Sequence, residues 1–205
     1  MKKSRLGVAV MVAAVSLTAG AQAADTAVAI FAGGCFWSIE SDFDHAPGVL
    51  DTTSGYIGGT VENPTYEQVS TETTGHREAV RVTYDPNVTN YEKLLTAYWH
   101  MTDPTDGEGQ FCDYGDSYRP GLFPLDKAQY DAAEVSKAEI GKELNKPVAT
   151  TIAMATNFYP AEDYHQNFWQ TNAAHYKAYR AGCGKNAKVE ALWGQSAFEG
   201  LNGHE

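Results

Sequence analysis

Apolar residues along the chain cluster in short runs broken by glycine, proline and aspartate, and the spacing within each run predicts strands and helices in mixed order. Ala27 to Phe31 is an apolar run that ends at Gly33-Gly34, a strand followed by a tight turn. Phe36, Trp37, Ile39, Glu40 and Phe43 then suit one amphipathic helix. Val49 to Tyr56 predicts a second strand before the turn-rich Gly58-Gly59-Thr60, and Val80, Val82 and Tyr84 alternate with Arg81 and Thr83 as a half-buried strand does. Asp85-Pro86-Asn87 closes that strand. Tyr91 to Met101 carries Leu94, Leu95, Tyr98 and Trp99 at helical spacing, and 102–124 predicts a long loop rich in Gly, Pro and Asp. Asp126 to Leu144 predicts a surface helix, Thr150 to Thr156 a strand, and Asp163 to Tyr179 a further helix. No internal repeat interrupts this order. The expectation is an α+β domain, a single mixed sheet with flanking helices, rather than a doubly wound parallel fold.

The first 23 residues change the picture of where the chain works. Lys2, Lys3 and Arg5 precede an apolar run from Leu6 to Leu17, and Ala21-Gln22-Ala23 offers small residues for cleavage, so residues 1–23 read as a signal peptide. Residues 24–205 are then one catalytic domain, exported and expected in a periplasm. Its mature part has no run approaching the roughly 20 apolar residues of a membrane span. Removing the leader takes three positive charges from a net charge of -11 and leaves -14, which disfavours nucleic acid and anionic membranes as partners. A monomer is expected. Three cysteines remain, Cys35, Cys112 and Cys183, an odd number for an exported chain. Their wide spacing argues against a zinc site and a C-x-x-C dithiol, so neither metal nor organic cofactor is expected.

Gly33-Gly34-Cys35-Phe36-Trp37 places a cysteine at the first turn of a helix directly after a strand. Unpaired N–H groups and the positive end of the helix dipole there favour thiolate over thiol, the glycines let a substrate approach, and the aromatics offer an apolar wall. Outside such a motif, a cysteine at a strand-to-helix corner is usually a small buried packing residue.

With Gly34-Cys35-Phe36-Trp37 the chain resembles the A-type peptide methionine sulfoxide reductases. The likeness continues through Gly55-Tyr56-Ile57-Gly58-Gly59, Asn63-Pro64-Thr65-Tyr66, Gly75-His76-Arg77-Glu78-Ala79-Val80, Tyr84-Asp85-Pro86, Asp113 to Arg119 and Phe158 to Gln166. The resemblance implies a ferredoxin-like core and thiolate attack of Cys35 on the sulfur of methionine-S-sulfoxide, protein-bound or free. It implies Glu78 as proton donor, Tyr66 and Tyr118 as donors to the oxygen, Asp113 in the same polar network, and Phe36 and Trp37 around the substrate methyl. Such a reaction needs an acid and several hydrogen-bond donors at the departing oxygen, which these residue types supply. His76 and His165 are expected to make structural hydrogen bonds only.

Cys35 would become a sulfenic acid, condense with a second thiol, and be released when a thioredoxin-like donor opens the disulfide. The second thiol stays open. Many relatives carry Gly-Tyr-Cys after the last helix, where this chain has His175-Tyr176-Lys177 and no cysteine before Cys183. Glycines flank Cys183 and suggest a segment able to swing, whereas Cys112 adjoins Asp113 and needs no swing. A static bridge between the two is the third alternative. A thiol peroxidase would use the same cysteine without a methyl pocket, and a non-catalytic module would use Trp37 and the tyrosines as a recognition groove.

Overall fold

The computed structural model describes residues 25–203; the expected signal peptide lies outside the described residues. Strand β1 (Ala27–Ala32) leads into helix α1 (Phe36–Asp44), and β2 (Val49–Ile57) into a one-turn helix α2 (Tyr66–Val69) with a reciprocal Thr65/Gln68 capping box. Strand β3 (Arg77–Tyr84) is followed by α3 (Tyr91–His100), whose first turn is capped by the Asn90 side chain accepting from the Lys93 N–H at 2.9 Å. A hairpin of β4 (Gly109–Gln110) and β5 (Asp113–Tyr114) comes next, then a 3-10 turn at Asp116–Tyr118 and β6 (Gly121–Leu122). Then come α4 (Lys127–Leu144), β7 (Thr151–Ile152), β8 (Tyr159–Pro160), a 3-10 turn at Asp163–His165, α5 (Phe168–Thr171), α6 (Ala173–Cys183), α7 (Lys185–Trp193) and a 3-10 turn at Gly194–Ser196.

The main sheet runs β7-β6-β1-β3-β2-β8, antiparallel except for β6 against β7. This is the mixed sheet with flanking helices that the α+β reading expected. Alternation along β3 sets Glu78, Val80, Val82 and Tyr84 on one face, and the last three belong to the core with Phe31, Ile39, Phe43, Leu94, Tyr98 and Trp99. Glu78 therefore shares the face that β3 turns to the core. Two of the core's aromatic polar ends find partners: the Tyr98 hydroxyl donates to the Ala32 carbonyl at 2.8 Å and the Trp99 indole N–H to Ser136 Oγ at 2.6 Å.

Four expected elements differ, and the first is the loop expected over 102–124, which carries β4, β5, a 3-10 turn and β6. The strand expected over 150–156 is ordered as strand only at Thr151–Ile152, although Ala153 and Ala155 continue single backbone bonds to Leu122 and Pro124 along the sheet edge. The helix expected over 163–179 is broken, because Asn167 takes a left-handed φ of 50° and Asn172 leaves the helical region at φ -130°. The Gln166 side chain beside this break bonds both the N–H and the carbonyl of Ser54 at 2.9 Å, tying the segment to β2 instead of letting it wind on. The swinging segment expected around Cys183 is not found: Cys183 is the last residue of α6, 7% exposed, and Gly184 at φ +66° turns the chain directly into α7. The two flanking glycines mark a helix-to-helix corner.

Helices α6 and α7 are held onto α1 by a buried ion cluster, with Asp42 accepting from Arg180 at 2.8 Å and Lys185 at 2.6 Å, all three at most 5% exposed. Removing the one anion would leave two cations without compensation in a dry setting. Asp42→Ala is expected to lower stability by about 3–5 kcal/mol, read from the urea midpoint, whereas an exposed carboxylate change such as Asp131→Ala should cost well under about 1 kcal/mol.

Candidate active site

The site forms where β1 ends and α1 begins. Gly34 has φ +89°, and a Cβ there would lie 2.6 Å from the Gln110 Cβ, so both conformation and space require glycine before the cysteine. Cys35 is the N-cap residue of α1. The N–H of Phe36 donates to Glu78 Oε2 at 2.9 Å, and the N–H of Trp37 donates to the Cys35 sulfur. The head of the helix is thus shared between a carboxyl and a thiol.

This arrangement corrects the expectation of a resting thiolate. Burial pushes the Cys35 thiol well up, the Glu78 and Asp113 carboxylates push it further, and the Tyr179 hydroxyl and Trp37 N–H only partly offset them. The resting group is a thiol. Glu78, 2% exposed, is itself pushed up to about 8, chiefly by burial and then by Asp113 and Glu72, against the pull of the Phe36 N–H. At neutral pH it carries a proton, and its repulsion of a thiolate then disappears.

Tyr66, at the start of α2, and Tyr118, at the end of the 3-10 turn after β5, bring their hydroxyls together over Glu78. Burial and the Glu78 carboxylate raise both phenols, so they are neutral donors. Each is anchored from behind. Glu162 accepts the Tyr66 N–H at 2.8 Å and the Tyr56 hydroxyl at 2.9 Å, while Glu72 accepts the Ser117 N–H and hydroxyl at 2.8 and 2.7 Å. Asp113 receives the Tyr179 hydroxyl at 2.5 Å, and burial raises its carboxyl while Tyr179, Lys185 and Lys188 pull it down.

The two aromatics after Cys35 divide. Phe36 is 1% exposed and packs against Tyr56 and His165 as the floor, so it is not an open wall. Trp37 is half-buried, lies flat on Phe168 with ring centres 3.8 Å apart, and donates its indole N–H to His165 Nδ1 at 3.1 Å. His165 is therefore a neutral ring protonated at Nε2, lowered by burial, that fixes the tryptophan plane. His76 is satisfied by Gly59 and Val61, so both histidines make the structural bonds expected of them.

Cys35 is free, and Cys112 is bonded to Cys183 with Cα atoms 5.1 Å apart. Of the alternatives open in the sequence, the pairing present is Cys112 with Cys183. Cys112, Asp113 and Cys183 have donor atoms within 4.8 Å of one another, but the two bonded sulfurs offer no thiolate to a metal. Sequence reasoning missed Tyr179, which touches both Cys35 and Asp113, and the two carboxylates Glu162 and Glu72. Glu162 stood inside the quoted Phe158–Gln166 motif; Tyr179 had no local signal beyond its helix.

A half-buried thiol, a neutral carboxyl and two phenols converging on one point are the makings of a thiol-dependent oxidoreductase. The family model described as peptide methionine sulfoxide reductase matches residues 27–197. Peptide methionine sulfoxide reductase MsrA 2 of Rhizobium meliloti (strain 1021) is 49% identical over 89% of this chain and 91% of its own length, and the MsrA of Listeria monocytogenes (serotype 4a, strain HCC23) is 50% identical over 80% and 94%. Solved structures of Mxr1 from Saccharomyces cerevisiae in reduced form and of methionine sulfoxide reductase A of Corynebacterium diphtheriae superpose with TM-scores of 0.69 and 0.68. They are 29% and 28% identical, covering 78% and 75% of this chain and 92% and 77% of those chains. The chain belongs to the peptide methionine sulfoxide reductase family, A type, and is an oxidoreductase acting on methionine sulfoxide. Among the described residues no helix is long and apolar enough to cross a membrane.

Because Glu78 holds its proton up to about pH 8 when folded but would lose it near 4.5 when unfolded, it lowers stability progressively as pH rises between those values. Glu78→Gln should therefore be more stable than wild type at pH 8, with little difference at pH 4, and should lose about 10²-fold or more in turnover below pH 8, the gap narrowing above it as wild type ionises. Thermal melts at the two pH values and initial rates check both signs.

Proposed function

We propose that this chain reduces methionine-S-sulfoxide, protein-bound and free, with Cys35 as nucleophile and Glu78 as acid. The sulfoxide oxygen sits under the Tyr66 and Tyr118 hydroxyls, its methyl lies against Trp37 above the Phe36 floor, and its sulfur faces Cys35. Three unlike contacts around a pyramidal sulfur distinguish mirror-image epimers, and the family resemblance supports S. As the Cys35 sulfur attacks, Glu78 gives its proton to the oxygen and takes the thiol proton in return. Methionine and a Cys35 sulfenic acid result, with no net proton change. The observation that carries this reading is the Glu78 carboxyl, kept protonated by burial and fixed on the Phe36 N–H at the head of the attacking cysteine's helix.

A thiol of the Cys112/Cys183 pair then condenses with the sulfenic acid, water leaves, and its partner thiol displaces Cys35. That sequence ends in a free Cys35 beside a Cys112–Cys183 disulfide, the pairing present here. An external thioredoxin-like dithiol reopens the pair. The charge and apolar pattern of residues 1–23 supports export, so repair of oxidised proteins would take place in a periplasm.

The test uses protein recovered from the periplasmic fraction, where a chain beginning at Ala24 is expected. Fully prereduced, it should release methionine from the S epimer in a burst without added reductant, leave the R epimer intact and form the Cys112–Cys183 bridge in tryptic maps. Cys35→Ser should give no burst. Faster consumption of a hydroperoxide than of a methionine sulfoxide peptide would replace the reading with a thiol peroxidase.

A further inference from the structure

The Cys112–Cys183 bridge presents two unequal sulfurs. Cys112 stands at the tip of the β4–β5 hairpin, whose register pairs Gly109 with Tyr114 and Gln110 with Asp113 and so leaves Phe111 and Cys112 as a two-residue loop. Phe111 adopts φ +60°, the left-handed backbone that two-residue hairpins demand, and Cys112 is exposed. Cys183, by contrast, closes α6 at 7% exposure, with its sulfur 3.8 Å from Asp113 Oδ2. The same oxygen accepts the Tyr179 hydroxyl.

Charge sharpens the difference. Although the chain is strongly acidic, an exposed cation stands at the hairpin tip: the Lys188 ammonium donates to the Phe111 carbonyl at 2.6 Å. An incoming thiolate meets an exposed ammonium beside Cys112, while the Asp113 carboxyl lies within 4.8 Å of both sulfurs. Thiol–disulfide exchange also requires approach along the S–S axis from the far side of the attacked sulfur, which an exposed loop permits and a buried helix end does not.

Resting on the reading above, we propose that the external dithiol attacks Cys112, that Cys183 is the leaving sulfur, and that Asp113 protonates it. The donor thiolate forms a bond to Cys112 Sγ while the Cys112–Cys183 bond breaks, and its electron pair departs on Cys183, which takes the Asp113 proton. The donor's second thiol then attacks the donor sulfur of this mixed disulfide. Cys112 leaves as a thiolate, and the second thiol's proton restores Asp113 through solvent. Two electrons have passed from donor to bridge, and the donor ends as a disulfide. Asp113 Oδ2, 3.8 Å from the Cys183 sulfur, is placed to hand that sulfur a proton, and burial raises its carboxyl against the pull of Tyr179, Lys185 and Lys188.

The bridge can be studied without the sulfoxide step in oxidised Cys35→Ser protein, or in Cys35→Ala if the serine variant folds poorly. Two probes are used: a thioredoxin whose second active-site cysteine is serine, and glutathione as a small monothiol. After acid quench and alkylation, peptide mapping should place both adducts on Cys112 with Cys183 carrying the alkyl group. Adducts on Cys183, or spread evenly over the two, overturn the proposal. In the same background Asp113→Asn should slow opening about tenfold or more and leave the adduct on Cys112; an unchanged rate removes Asp113 from the step. Because wild-type burst chemistry is not needed for this mapping, failure of the burst would strike the assigned activity alone.

Discussion

The hydrogen bond from the Phe36 N–H to the Glu78 carboxyl, 2.9 Å long and sealed from water, is the contact on which the rest of the site depends. It joins the head of α1 to the middle of the sheet and settles where the helix N–H groups go. One serves the acid, the next serves the sulfur, and neither is left over for solvent. Burial then does the opposite of what a helix terminus does in water. It raises both the carboxyl and the thiol, so the resting site keeps its protons at neutral pH.

Everything around that bond restricts motion. Glu162 and Glu72 each clamp the segment that carries one phenol, His165 fixes the plane of Trp37, and the Asp42–Arg180–Lys185 cluster fixes α6 and with it Tyr179. Preorganised donors of this kind are worth most in a dry site, because they need no rearrangement as charge develops on the oxygen. The Cys112–Cys183 bridge sits at the edge of this shell, one sulfur on an exposed hairpin and the other against Asp113. Asp113 thus stands between site and bridge, acting on the charges of Cys35 and Glu78 while its oxygen lies 3.8 Å from the Cys183 sulfur.

Much of this was legible in the chain. Strict alternation in β3 and the glycine-to-aromatic step around Cys35 have local causes, so β1, α1, β2 and β3 emerge where the pattern puts them, and Cys35, Glu78, Tyr66, Tyr118 and Asp113 do converge. The C-terminal third was harder because side chains there override spacing. Gln166 spends its amide on Ser54 of β2, Asn167 turns left-handed, and a helix that reads as continuous breaks into three pieces. Gly182 and Gly184 suggest mobility in sequence, yet Gly184 is the left-handed corner at which α6 turns directly into α7, with Cys183 buried beside it. The state of the thiol was illegible for a different reason. Helix position lies in the sequence, but the degree of burial and the presence of two carboxylates exist only once the chain has folded.

The most direct measurement is the protonation of Glu78 itself. Difference infrared spectra of wild type against Glu78→Gln, taken across pH 5 to 10, isolate its carboxyl stretch. A protonated band persisting through neutral pH and fading with a midpoint near 8 is what the account predicts. A Glu78 already ionised at pH 6 would contradict it, since no stored proton would then await the sulfoxide oxygen.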